Sequence, residues 1–394
     1  MSEALTSGEL GAVLNDHDAF EFAGCLLVIP RSEPRLFLLN PIARMMWQEL
    51  AQGVPPVDVA DRLAARFDVP RAQVRADMAA MLKEWRAHRL VAGTTPAATA
   101  VPLTRVAAAT PVSRSFHAER VYRLCGRPIR LRYEVPGLEQ AIHPPLAHAA
   151  APSGPTLDSI DVVQDGAGYL VVCNHSDVER AANEEEALGQ VFGRILELSH
   201  PDAAWLAMMH AAAVADEHGA VILAGDSGSG KSTLTAALVH AGLRYFSDDV
   251  VPLDEALRIR PMPFGISVKE GSWPVLAALY PELEALPIYD GRRRRYLPIA
   301  ERCTGPRAGL PVNSLVFPSY RPDQATILRP LTPLEVLERL TRSRSWISLD
   351  GRRFGVTLQW IEQTPGFELG HASLDEAVLV VQGLLNGEGG TSRP

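Results

Sequence analysis

"GDSGSGKST", residues 225–233, follows the apolar run "AVILA" (220–224) and leads into "STLTAALVHAG" (232–242). The stretch fits G-x-x-x-x-G-K-[ST], the pattern of a loop that wraps a phosphate in backbone N–H groups. Gly225, Gly228 and Gly230 permit backbone angles and a close approach that a Cβ would block. The amides between them, from Asp226, Ser227 and Ser229, then point into a shared concavity, and the following helix adds its positive end. Lys231 sets a point charge on the β- and γ-phosphates, the hydroxyl of Ser232 is placed to ligate Mg²⁺, and Thr233 completes the loop. The flanks agree: 220–224 reads as a buried strand and 232–242 as a helix stopped at Gly242. The chain has only three lysines, Lys83, Lys231 and Lys269. One of them falling in this position argues against a plain Gly/Ser-rich connector. ATP with Mg²⁺ is the expected ligand.

The 394 residues leave room for two or three domains. A 47% apolar and 21% charged composition is that of a globular protein, and a net charge of −8 gives no support to nucleic-acid binding. Cys25, Cys125, Cys173 and Cys303 are isolated, without C-x-x-C spacing for zinc or redox work, which suits a reducing compartment. "MSEALTSGEL" (1–10) has no basic–apolar–small signal pattern, and no apolar run reaches 18 residues. A cytoplasmic protein with no membrane partner is expected.

The segment 92–114, "AGTTPAATAVPLTRVAAATPVSR", is rich in Ala, Thr and Pro, lacks acidic residues and reads as a linker. It separates residues 1–92 from 115–394. Before it, "CLLVI" (25–29) and "RLFLL" (35–39) predict a hairpin, and "NPIARMMWQEL" (40–50) a helix with Asn40 as cap and Pro41 at the first helical position. Val59, Leu63 and Phe67 recur every fourth residue in a second helix. Val74, Met78, Met81, Leu82 and Trp85 stripe a third. A hairpin with three short helices is a small winged-helix-like unit. The hairpin, "LLNPIARMMWQEL" and the run "VADRLAARFDV…VRADMAAMLKEWRAHRLV" resemble the PqqD family over residues 18–92. That resemblance implies a domain that binds the leader segment of a ribosomally made precursor peptide and presents it to a modifying enzyme. An exposed strand edge is then the expected docking place.

The second unit alternates strands with helices, predicting an α/β or α+β fold. Strands are expected in 120–135 and 159–174, a helix in 183–200, and two strands turning at "DEHG" before the phosphate loop. Thr332 with Glu335 and Ser373 with Glu376 read as capping boxes. Asp248 and Asp249, in "RYFSDDVVPL", are placed at the end of an apolar strand, where neighbouring side chains point to opposite faces. One carboxylate then faces the nucleotide while the other serves the metal or the structure. His210 is placed at the start of "HAAAV", and "DGRRRRY" (290–296), with Arg292–Arg295, reads as a solvated loop or an acidic-peptide or phosphate site.

His210, "GDSGSGKS" and the pair Asp248–Asp249 resemble the kinase core of bacterial HPr kinase/phosphorylases, most specifically over 208–254. The resemblance implies a phosphoenolpyruvate-carboxykinase-like mixed sheet and self-association. It also implies roles: Asp249 as base toward a seryl hydroxyl, His210 holding the acids or the phosphate, Lys231 on the phosphoryl group and Ser232 on Mg²⁺; Asp248 is then the carboxylate left to the metal. The family's metal-binding glutamate segment is not matched by "RIRPMPFGISVKEG", where Lys269 instead offers a cation near the phosphates. The expected activity is an ATP-dependent serine/threonine kinase acting on a precursor peptide or small protein. The alternatives are a nucleotide-binding peptide chaperone or sensor without catalysis, or a different P-loop transferase. A DNA-binding regulator would need a basic first domain, and its later helices are mixed in charge.

Overall fold

The computed structural model describes residues 17–31, 35–88, 90–91, 115–154, 158–289, 293–299, 305–343 and 345–387. The chain divides into two compact units. The first takes Met1–Val101 with Leu349–Leu358, and the second takes Pro102–Ser348 with Gln359–Pro394. The expected linker, 92–114, lies outside the described residues, as do Cys303 and Arg292. The expected contiguous second domain included Leu349–Leu358, which this division gives to the first unit.

In the first unit, β1 (His17–Phe22), β2 (Cys25–Pro30) and β3 (Phe37–Leu39) form an antiparallel sheet in the order β1-β2-β3. The β2–β3 hairpin is the expected one; β1 on the far side of β2 is an addition. Central β2 is buried at every position. Helix α1 (Pro41–Ala51) starts as its sequence dictates, with Asn40 Oδ1 accepting from the Ala43 N–H at 2.9 Å. Helices α2 (Pro56–Phe67) and α3 (Arg71–Ala87) follow, and Val59, Leu63, Met78, Leu82 and Trp85 pack with Trp47 and Leu50 into one core. Phe67 departs from the predicted stripe and is 46% exposed. It is the last residue of α2, and the chain turns away at Asp68 with φ 53°.

The second unit holds two large sheets. In the first, β4 (Ala118–Leu124), β5 (Arg127–Tyr133), β6 (Ala150–Ala151), β7 (Asp158–Asp165), β8 (Gly168–Cys173) and β9 (Asp177–Ala181) take the order β6-β4-β5-β7-β8-β9. Helices α4 (Pro136–Leu146) and α5 (Glu184–Ser199) cover it, and Leu138, Ile142, Val191 and Ile195 share its core. Asn183 caps α5 by accepting from the Glu186 N–H.

The second sheet has ten strands and carries the glycine-rich loop 225–230. Strands β10 (Trp205–Met209), β11 (Ala211–Ala215) and β12 (Ala220–Ala224) lead to the loop, which opens α6 (Lys231–His240). Strands β13 (Arg244–Ser247), β14 (Val251–Asp254) and β15 (Arg258–Ile259) follow. A separate ribbon pairs β16 (Ile266–Lys269), ahead of the short helix α7 (Trp273–Ala277), with β17 (Arg294–Leu297). The chain then runs through β18 (Leu310–Tyr320), β19 (Ile327–Leu331), α8 (Pro333–Arg342), β20 (Trp346–Ile347), α9 (Gly351–Gln363), β21 (Gly366–His371) and α10 (Leu374–Leu385). The strand order is β13-β11-β12-β18-β15-β14-β10-β20, with β21 joining β18 to β19. The sheet is mixed. β12 is antiparallel to β11 but parallel to β18, which is in turn parallel to β21. Val221, Leu223, Val316 and Leu369 pack under α6 and α10.

Thr332 and Glu335 make the complete capping box at α8. At α10 only half of the expected box forms. Ser373 accepts from the Glu376 N–H, while the Glu376 carboxylate accepts from the Thr326 hydroxyl at 2.5 Å. Among the described residues no helix is long and apolar enough to cross a membrane.

Candidate functional site

The glycine-rich loop is flanked by the two elements its sequence predicts, β12 before it and α6 after it. Gly225, Gly228 and Gly230 take φ of 149°, 95° and 97°. At Gly228 a side chain would meet no neighbour, so the left-handed backbone, and not crowding, calls for glycine there. The far side of the loop rests on the end of β18, where the Tyr320 N–H donates to the Ser229 carbonyl at 3.2 Å. The ring of Tyr320 also meets buried His371 edge-on, and burial holds that imidazole below its ordinary pKa. The Lys231 ammonium, on a residue only 6% exposed, donates to the carbonyls of Gly225 and Asp226. Burial lowers its pKa, while Asp248 and Asp249 act to raise it.

The two aspartates follow directly on the end of a strand. β13 stops at Ser247, and Asp248–Asp249 form the turn before β14, closed by a hydrogen bond from the Ser247 hydroxyl to the Val250 carbonyl. Their different directions come from this turn and not from strand alternation. Asp248 is 1% exposed; its Oδ1 accepts from the Ser232 hydroxyl at 3.1 Å and its Oδ2 from the Ser267 N–H at 3.0 Å. Burial, then the neighbouring charge of Asp249, raises its pKa to about 7. Asp249 is half-buried and sits at φ 89°, a conformation disfavoured for a residue with a Cβ. His210 is the residue between β10 and β11, not the first of a strand. Its Nδ1 lies 3.1 Å from the Asp249 carbonyl oxygen, and its N–H donates to Ser345 Oγ.

These groups line one cleft of about 1060 Å³. The structure brings Asp226, Ser227, Gly228, Gly230, Lys231, Ser232, Thr233, Lys269, His210, Asp248 and Asp249 to it. Gly225 and Ser229 lie on the loop beneath, the Ser229 hydroxyl buried with no hydrogen-bond partner among the described residues. Lys269 reaches the loop, its Nζ 2.5 Å from Ser227 Oγ. The arginine run is not a free loop throughout. Arg293 pairs with Glu270 at 3.0 Å, while Arg294 and Arg295 belong to β17, Arg295 stacking 4.1 Å over the ring of Trp273. Arg294, from the run read as a solvated loop or an acidic-peptide or phosphate site, lines the cleft; Ser267 and Tyr296 line it too and carry no signal in the sequence until "ISVK" and "RRYL" are paired.

The donor set suits a phosphate-bound Mg²⁺. Among the described residues no three His, Cys, Asp or Glu side chains cluster as a metal cage. The Asp248 carboxylate and Ser232 hydroxyl stand together beside the phosphate loop. Asp248 and Ser232 would supply one carboxylate and one hydroxyl, hard oxygen donors of the kind this ion takes. The orphaned Ser229 hydroxyl and the open cradle at Gly228 fit a phosphate chain in the same place.

The first unit offers a separate surface. Leu38, on edge strand β3, is 43% exposed, and Ile42, in the first turn of α1, is 51% exposed. A strand edge flanked by exposed apolar side chains is a platform for an extended peptide. No curated protein matches the chain. Residues 24–91 match the family model described as coenzyme PQQ synthesis protein D (PqqD), and this part of the chain is a PqqD-like domain.

Proposed function

We propose that the chain is an ATP-dependent kinase that phosphorylates a serine or threonine hydroxyl of a peptide recruited by the PqqD-like domain. The observation that carries the reading is the convergence on one cleft of a glycine-rich loop, a Ser232 hydroxyl on buried Asp248, and the Asp249 turn held by His210. A cleft of about 1060 Å³ lies at the upper end of the range for ligand pockets, roomy enough for a nucleotide. The resemblance of residues 208–254 to HPr kinase/phosphorylases supports the same chemistry.

In this reading the loop amides and Lys231 bind the β- and γ-phosphates of ATP. Ser232 and Asp248 would hold Mg²⁺, which would supply positive charge to those phosphates. Asp249 accepts the proton of the acceptor hydroxyl as its oxygen bonds to the γ-phosphorus. The bond from that phosphorus to the β–γ bridging oxygen breaks, and its electron pair leaves with ADP. His210 holds the Asp249 main chain so that the carboxylate meets the hydroxyl. The PqqD-like domain raises the local concentration of acceptor, so a weak grip at the cleft suffices. The reaction class is tested by incubating the chain with Mg·ATP and the peptide encoded beside its gene. The expected product is ADP with a peptide heavier by one phosphoryl group. ATP binding without phosphoryl transfer would favour a nucleotide-dependent peptide chaperone.

A further inference from the structure

The β16–β17 ribbon has two faces with different chemistry. Its ladder pairs Ile266 with Leu297, Ser267 with Tyr296, Val268 with Arg295 and Lys269 with Arg294. Directly opposed residues of an antiparallel pair share a face, and the next pair along takes the other. Ile266, Val268 and Leu297 accordingly lie in a buried cluster, and Arg295 lies on Trp273 beside it. Ser267, Lys269, Arg294 and Tyr296 all face the cleft. The ribbon therefore sets a lysine directly across from an arginine on the wall of a phosphate-loop cleft. Lys269 touches Ser227 of the loop, and Arg294 Nη1 lies 3.4 Å from the hydroxyl of Ser267, whose N–H holds Asp248.

We propose that Arg294, paired with Lys269, is a catalytic residue that grips the terminal phosphate of the nucleotide. This deepens the kinase reading and rests on it. Side by side on one face of the ribbon, Lys269 and Arg294 offer two positive charges to the same part of the cleft. Arginine adds what lysine lacks, a planar fork that donates two N–H groups to two phosphate oxygens at once. Arg294 neither forms nor breaks a covalent bond. It donates to non-bridging oxygens of the γ-phosphoryl group while the acceptor oxygen attaches and ADP departs. Lys231 comes from α6 and the clamp comes from the ribbon, so the phosphate chain is held from two separate elements.

The test titrates the full chain with Mg·ATP and with Mg·ADP, for wild type, Arg294→Ala and Arg294→Lys, and follows basal ATP hydrolysis. Arg294→Ala is expected to weaken ATP binding about tenfold or more, the scale of one charge-assisted hydrogen bond, with ADP affinity unchanged. Arg294→Lys keeps the charge and the stem, so it preserves the fold even if alanine does not. It is expected to retain ADP affinity and lose hydrolysis by about tenfold or more, because the fork is gone. Equal losses for ATP and ADP, or wild-type behaviour of both variants, would overturn the clamp while leaving the phosphate loop intact. A wild-type chain that binds neither nucleotide would instead overturn the kinase reading itself, and the clamp with it.

Discussion

His210 Nδ1 stands 3.1 Å from the main-chain carbonyl oxygen of Asp249, and Asp249 is held at φ 89°. A left-handed aspartate persists only where its surroundings hold it, and such strain gathers at functional turns. The tautomer that fits carries its proton on Nδ1 and donates to that carbonyl. His210→Ala is expected to relax the turn, lowering kcat while ATP affinity stays near wild type. Steady-state kinetics beside nucleotide titration checks this. A matched loss in ATP affinity would place the imidazole on the nucleotide instead.

Asp249→Asn keeps size and shape but cannot take a proton. Its kcat is expected to fall by about 10² to 10⁴, with little change in KM or ATP binding. Asp248→Asn is the contrasting variant: its expected defect is in Mg²⁺ dependence. Single-turnover phosphorylation over a magnesium series separates the two. A fall of less than about tenfold at Asp249, with ATP bound normally, would remove it as the base.

Acidity acts on Asp248. Its raised pKa means that the folded protein binds this proton more readily than the unfolded chain does. The corresponding stability is fully present below the ordinary aspartate pKa of 3.8 and is lost as pH rises through about 7. Asp248→Asn cannot lose a proton, so without nucleotide its melting temperature should gain on wild type between pH 5 and pH 8. Mg²⁺ needs the charged carboxylate, so wild-type affinity for Mg·ATP should fall as pH drops from 8 to 6. Parallel melting curves for the two proteins across that range would contradict the assignment.

Lys231→Ala removes an ammonium that burial disfavours. Thermal stability of the free protein is therefore expected to change little, while the rise in melting temperature on adding Mg·ATP disappears. A persisting ATP-induced rise would show that the phosphates lie elsewhere.

On the first unit, Leu38→Asp or Ile42→Glu places a charge on an exposed site. Such surface changes leave stability within about 0.5 kcal/mol. Affinity for a labelled precursor peptide is expected to fall about tenfold if the β3 edge and α1 receive it, with ATP binding unchanged. Unaltered peptide affinity in both variants would move the docking surface elsewhere.

The parts of this fold that were legible in the sequence are local ones. The phosphate loop announces itself because nine adjacent residues carry its backbone angles, its cation and its hydroxyl. Asn40 and Thr332 likewise act on amides three residues away. Asp248 and Asp249 are legible at the end of an apolar strand, but the turn that sets their directions, closed by Ser247 and Val250, looks like strand continuation in an apolar run. The run at 290–296 shows the same limit. Nothing near Arg294 says that Lys269, 25 positions earlier, lies across from it. Glu376 had a competing donor in Thr326, 50 positions away, and the capping box was left half made.

The parallel ladders of β18 carry a consequence for the order of assembly. β12 pairs with β18 and β18 with β21, so the ledge beneath the phosphate loop includes Tyr320 and His371. Contacts this far apart in the chain form late, after the loop-closure cost has been met. During synthesis, residues 225–233 leave the ribosome long before their support does. A nascent chain ending before residue 366 lacks β21 altogether, so its glycine loop is complete in sequence yet missing part of its floor. Any phosphate binding by the loop would then wait until the residues of β21 have been made.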